Sequence, residues 1–436
     1  MLKIFDVETA KQSILKRVPL TFTDYPPGLV AAVEKMFGEG VSLPGAVTQI
    51  LDSVRLEGDK ALKKWSCLLD QADLDNFRVP HEKFRIAYDD LPESLKESLS
   101  LSEKRIRAFH ELQPIPEWET ETLGGRVGQR VTPVERAGVY VPAGTAPLPS
   151  SLLMSVIPAQ VAGVPHIIVT TPPDPHPTIL AAAYICGVED MYELGGAQAI
   201  AAMAFGTESV PRVDTIVGAG NIFVTLAKQQ VFGIVGLDGL FGPTETMVIA
   251  DESANPAWVA ADLLAQAEHD VLASAVLLTD SPRLAEEVQI SVAHQLESLT
   301  RQEILTQSLE NRSGIVLVPN LGVAAILANE YAAEHLCLSV AAPRELMSKI
   351  NNAGGFFLGD HSFEVLGDYV AGPSHIMPTG QTARFNSPLN VLNFVKISSV
   401  IELDPQTGAR LSRPASEIAR AESLTAHASA ADFRSF

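Results

Sequence analysis

The chain has 436 residues, 46% hydrophobic and 19% charged, and 32 Lys and Arg against 52 Asp and Glu leave a net charge of −20. That length exceeds one ordinary domain and supplies apolar material for sizeable cores, while the acidity excludes a nucleic-acid backbone or an anionic membrane surface as principal partner. Cys67, Cys186 and Cys337 lie far apart with no CxxC pair, so neither a disulfide framework nor a cysteine-built zinc site is readable. The N-terminus carries charge from Lys3 onward without a signal-peptide core, and five prolines break the uncharged run 137–169. A soluble, cytoplasmic protein is expected.

Residues 28–112 read as helices, with charges alternating with apolar positions through 51–57 and again over 91–112. Near Arg136 short β-rich runs begin to alternate with alanine-rich stretches. Strands are predicted at 138–141, 167–170 and 215–217, and helices over 150–162, 177–185 and 197–204. This alternation predicts a parallel sheet with helices on its faces. A second series starts near Glu245, with strands at 246–250, 275–279, 314–318 and 355–358, each followed by a helix except the last. Asn255-Pro256 reads as an N-cap followed by proline at the first helical position, opening a helix over 257–270. A short strand at 397–401 precedes a C-terminal helix. The expected class is α/β, two units with helical extensions at both ends.

Four clusters could carry chemistry. Gln266 and His269 are three apart on the helix that follows Asn255, so they share a face and could hold a metal. The plainer reading makes His269 a favourable charge on the helix dipole. Asp368 falls in the glycine-punctuated segment 366–375, as an oxygen ligand or as a turn cap, with His375 a further ligand or hydrogen-bond donor. Glu334-His335 offers two proton acceptors of different basicity, suited to an alcohol proton and a water proton. The alternative is a surface dipeptide at a helix start. Glu422 and His427 point well apart on a continuous helix, so they serve one site only from different sides or across a helix break. No GxGxxG follows a strand. Turns at 140–145, 194–199 and 217–221 nevertheless lie where strands meet helices and backbone amides bind anions. Each alone is an ordinary turn; three in succession outline a shared crevice.

Read in order, Gly138-Val139-Tyr140-Val141-Pro142, the run 194–202, the run 263–270, Ala333-Glu334-His335-Leu336 and Gly367-Asp368-Tyr369 make the chain similar to the histidinol dehydrogenase family. The similarity extends from about residue 25 to His427. It implies one zinc ion per subunit held by Gln266, His269, Asp368 and His427, and a catalytic pair in Glu334 and His335. It implies NAD contacts at Tyr140, Gln198 and Asn221, and substrate contacts at Thr244 and Glu422 besides His335 and the metal ligands. The implied architecture is two incomplete Rossmann-like domains in a homodimer with exchanged terminal segments. Residues 1–27 would be an N-terminal extension, 28–135 with 245–386 one α/β domain, 136–244 the NAD-side domain, and 387–436 an extension reaching the partner. Exchange of this kind answers the awkward spacing of Glu422 and His427. The implied activity is NAD-dependent four-electron oxidation of L-histidinol through L-histidinal to L-histidine, the last two steps of histidine biosynthesis.

The chain departs from the family pattern in places. Thr244 stands in Gly242-Pro243-Thr244-Glu245 where serine is usual, and Cys337 replaces an acidic residue beside the Glu-His pair. The segment 360–364 differs, and Pro149 sits beside Ser150. These changes touch the substrate pocket rather than the metal ligands. Two alternatives follow: a paralogue oxidising another small primary alcohol, such as a sulfonated diol, or a non-catalytic zinc- or nucleotide-binding relative. Glu422 opposes the first, because a carboxylate repels an anionic substrate that arginine would recognise. Retention of both Glu334 and His335 opposes the second.

Overall fold

The structure, a computed structural model, describes residues 2–17, 25–143 and 146–435. Its frame is two all-parallel sheets. The larger runs Ile4–Asp6, Gly314–Leu317, Ser274–Thr279, Glu245–Ala250, His335–Ser339 and Gly355–Leu358. Its central strands are buried at every position, as parallel strands covered on both faces must be. Side chains alternate between two cores. Val248, Ala275 and Leu277 face the helices Pro256–Ala267 and Pro282–Leu296, whereas Met247, Ile249 and Val276 face the helix Leu321–Tyr331. The smaller sheet runs Asp190–Glu193, His166–Thr171, Arg136–Tyr140, Thr215–Val217 and Gly236–Leu237.

The expected strands appear within one or two residues, those at Thr215–Val217 and Gly355–Leu358 without change. Six strands were not expected: Ile4–Asp6, Trp118–Thr120, Arg126–Pro133, Asp190–Glu193, Gly236–Leu237 and His335–Ser339. Ile4–Asp6, inside the segment that reads as an N-terminal extension, edges the larger sheet.

The helices of 28–135 also depart from expectation, which joined them to 245–386. Leu43–Glu57 packs on Gly196–Phe205 and Ile222–Val231, His81–Asp89 on Pro177–Ile185, and Glu93–Glu111 on Pro149–Val161. The physical reason lies in Gly196–Phe205, which is buried on all sides from Ala197 to Ala204. A helix apolar all round needs a second layer outside it. Val47, Ile50, Val54 and Trp65 supply that layer.

The chain closes with an antiparallel sheet in which Val395–Glu402 pairs with Arg126–Pro133, and that strand with Trp118–Thr120. The helices Pro405–Ala421 and Thr425–Asp432 then pack on each other. Among the described residues no helix is long and apolar enough to cross a membrane.

Candidate active site

The catalytic candidates gather at the amino edge of the larger sheet. Helix Leu321–Tyr331 closes on Ala332 in the left-handed conformation (φ 53°), which turns the chain straight into the central strand His335–Ser339. Glu334 and His335 therefore sit at a strand start, 8% and 3% exposed, and the surface helix-start reading fails. The register sets His335 opposite Thr246, which brings Thr244 and Glu245 alongside.

Asn255 caps Pro256–Ala267 by accepting from the Ala257 and Trp258 amides, as its sequence predicts. That helix ends at Ala267 rather than at Asp270. Gln266 occupies its last turn, and His269 follows in a turn whose amide donates to the Gln266 carbonyl at 3.2 Å. Asp368, expected in a loop, lies on the short helix Glu364–Tyr369, and the irregular backbone begins after it. His375 returns to that helix, its Nδ1 2.9 Å from the Asp368 carbonyl oxygen.

Thr244, Gln266, His269, Glu334, His335 and Asp368 all line one cavity of about 160 Å³. Glu334 Oε2 accepts from Thr244 Oγ1 at 2.7 Å and from the Glu245 amide at 3.0 Å. Thr244 Oγ1 also lies 3.0 Å from Gln266 Oε1, and Gln266 Nε2 is 3.4 Å from Asp368 Oδ2. His335 stands between two carboxylates, Nδ1 3.6 Å from Glu334 and Nε2 3.5 Å from Asp368. These are ion-pair separations rather than formed hydrogen bonds, and both buried ring nitrogens lack a hydrogen-bond partner. Burial pulls the His335 ring toward the neutral form, yet Glu334, Asp368 and Glu364 outweigh it and hold its pKa well above the usual histidine range. Burial acts against the Asp368 charge, and His335 reverses it, holding that carboxyl below its ordinary value. Glu422 and His427 are exposed on the C-terminal helices and do not line this cavity within one chain.

A second cavity, about 460 Å³, opens at the carboxyl edge of the smaller sheet and is lined by Tyr140, Gln198 and Asn221 together with Asp70 and Gly196. It lies where strand order reverses between Arg136–Tyr140 and Thr215–Val217, the usual place for a ligand in an open α/β sheet. Tyr140 accepts from the Gly196 amide at 3.1 Å, and Gln198 Nε2 donates to Asp70 at 2.9 Å. Gln198 Oε1 is buried without a partner. Asn221 caps Ile222–Val231. Of the three strand-to-helix turns, 194–199 and 217–221 contribute to this cavity; the first does so through Tyr140, Pro142 and Ala143, while Gly144 and Thr145 lie outside the described residues. Asp70 escaped sequence reasoning because a lone carboxylate after a helix carries no pattern. The buried pair Lys228 and Asp238 also escaped, although a lysine inside the apolar run 222–231 was a visible signal.

Two parallel α/β units, one with a strand-end crevice and the other with a buried acid–imidazole pair beside amide, imidazole and carboxylate donors, define an α/β enzyme of the dehydrogenase kind. The family model for histidinol dehydrogenase matches residues 39–435. Histidinol dehydrogenase from Nitrosospira multiformis is 44% identical over 427 residues, 96% of this chain and 97% of that protein. The Thermus thermophilus enzyme of the same name is 48% identical over 391 residues, 89% and 93% of the two chains. The crystal structure of histidinol dehydrogenase from Elizabethkingia anophelis superposes with a TM-score of 0.90 at 32% identity, covering 99% of this chain and 98% of that one. The chain belongs to the histidinol dehydrogenase family.

Proposed function

We propose that the protein oxidises L-histidinol through L-histidinal to L-histidine in two NAD-dependent steps that share one site. The observation that carries this reading is the convergence of Glu334 and His335 with Gln266, His269 and Asp368 on one small cavity in a chain of this family. His335 accepts the hydroxyl proton of the alcohol, so that the hydrogen on carbon can leave as hydride. Glu334, oriented by Thr244 and the Glu245 amide, takes a proton from water as it adds to the aldehyde. The resulting hydrate loses its second hydride at the same place. When bound, zinc supplies a Lewis-acid anchor for the substrate, and NAD accepts each hydride.

The residues present fit zinc. Gln266, His269 and Asp368 bring N and O donors to one cavity, the set expected where cysteine is absent. Thr244 has one hydroxyl proton for two neighbouring oxygens. Exchanging the Gln266 amide atoms lets Nε2 donate to Thr244 and turns Oε1 toward Asp368, a pairing of oxygens that a cation favours. His427 of the partner subunit, the further donor that membership of this family implies, would join them. Exposed apolar residues on the terminal arm support such a dimer: Ile401 and Phe433 are 74% and 76% exposed in the single chain. In that arrangement Glu422 of the partner subunit recognises the substrate imidazole through a charge-assisted hydrogen bond. NAD occupies the cavity of Tyr140, Gln198 and Asn221.

Steady-state assays with histidinol and NAD test the reading, with two NADH expected per histidinol consumed. NADH formed from an anionic diol but none from histidinol overturns it.

A further inference from the structure

Lys228 and Asp238 form an ion pair at 2.5 Å with side chains 2% and 1% exposed. Both partners also close on one residue. Lys228 Nζ donates to the Gly218 carbonyl at 2.8 Å, and the Gly218 amide donates to Asp238 Oδ2 at 2.7 Å. Gly218 has φ 110°, and a side chain there would collide with the Tyr140 carbonyl, so the peptide lies flat against the strand end that carries Tyr140. The same turn runs on to Ala219, which lines the 160 Å³ cavity, and to Asn221, which lines the 460 Å³ cavity. Lys228 Nζ stands 4.8 Å from the Phe241 ring centroid, and Thr225 on the same helix donates to the Phe241 carbonyl at 2.7 Å. Phe241 lines the smaller cavity and leads to Thr244.

A buried pair of this kind is weak support for stability, because apolar residues of similar volume often replace one at no cost. What it supplies here is geometry: both polar groups of a single glycine are held, from two elements, at the turn between the two cavities. We infer that Lys228 and Asp238 are positioning residues, a clamp that fixes the Gly218–Asn221 turn so that Asn221 and Tyr140 meet the dinucleotide in register with the substrate cavity. The inference rests on the reading of that larger cavity as the NAD site.

The test uses the full-length, zinc-loaded protein with the double variant Lys228→Met/Asp238→Leu, and with the polar pair Lys228→Gln/Asp238→Asn, which leaves no lone buried charge and keeps hydrogen-bonding groups on both sides. Expected for the double variant are an unchanged melting temperature, KM for NAD raised about tenfold, histidinol KM unchanged and kcat within about threefold. NADH binding without substrate, followed by its fluorescence, weakens by the same factor, and the amides of 218–221 exchange hydrogen at least about tenfold faster. Lys228→Gln/Asp238→Asn falls between, and it carries the test if the double variant does not fold. Unchanged exchange at 218–221 overturns the clamp. Faster exchange with full NADH affinity also overturns it; Asn221→Ala then separates the causes, since undiminished NADH binding in that variant means the cavity was misread.

Discussion

His335 lies between Glu334 and Asp368, both held by neighbours of their own, so its orientation is set by charge on two sides. With both carboxylates ionised the ring holds its proton; neutralising Asp368 lowers its basicity, so that it gives that proton up and can then accept the one from the alcohol. Replacing His335 with Asn removes the proton acceptor and keeps the volume. Turnover is expected to fall by about 10²–10⁴-fold while bound zinc, measured by elemental analysis, stays at the wild-type level. Loss of the metal together with activity makes His335 a structural residue instead. Asp262 offers a separate test through pH. Burial, then Glu364 and Asp360, push its carboxyl up to about 7. The native state therefore holds a proton that the unfolded chain has released between about pH 4 and 7, so stability falls as pH rises through that window and stays low above it. Asp262→Asn is expected to match the wild type near pH 4 and to melt a few degrees higher at pH 8. A melting difference independent of pH contradicts this.

At the scale of elements, the edge strand Ile4–Asp6 and helix Val7–Gln12 deliver Arg17 to the catalytic end of the larger sheet. Both outer guanidinium nitrogens of Arg17 contact Glu245 at 2.5 Å, and its plane covers the Tyr331 ring at 3.6 Å. Burial pushes the Glu245 carboxyl up, Arg17 pulls against that, and Glu334 adds to the push. The backbone of Glu245 in turn holds Glu334. Arg17→Met leaves Glu245 buried and unpaired, at an expected cost of about 3–5 kcal/mol in denaturant unfolding. Arg17→Met/Glu245→Met should recover most of that loss, because no lone charge remains. If both variants lose the same stability, the packing of the N-terminal segment matters and the pair does not. The two sheets also use opposite ends. The smaller opens its cavity at the carboxyl edge beside a change in strand order, as strand-to-helix turns predict, whereas the larger presents Thr244, Glu334 and His335 at its amino edge.

At the scale of the molecule, one chain assembles the acid–imidazole pair and three donors and leaves Glu422 and His427 on an arm away from them. If the arm serves a partner subunit, two inactive variants complement each other. A mixture of His335→Asn and His427→Asn, dissociated and reassociated at random, is expected to regain about a quarter of wild-type activity, because half the dimers are mixed and each has one intact site. No recovery despite confirmed mixed dimers places the site within a single chain.

The Asn255-Pro256 helix start, the strands at Thr215–Val217 and Gly355–Leu358 and the strand-to-helix turns at 194–199 and 217–221 were legible in the sequence, because capping, β-branched runs and glycine spacing act within a few residues. The absence of a CxxC pair was equally plain, and it directed attention to nitrogen and oxygen donors. The strand His335–Ser339 was hidden, since a short apolar run beside an acid and a histidine reads equally as a helix start. Which sheet the helices of 28–112 cover could not be read locally either: their apolar stripes fit any apolar surface, and only the all-buried helix Gly196–Phe205 demanded them. Lys228 and Asp238, ten residues apart, meet only because a strand and a helix fold back on Gly218. Sequence by itself determined the α/β class, the chemical identity of the candidate residues and the family likeness, all properties of neighbouring side chains. Tertiary structure decided which of those residues share a cavity, what charge surrounds His335 and which sheet edge the chemistry occupies, because these depend on contacts between residues far apart in the chain.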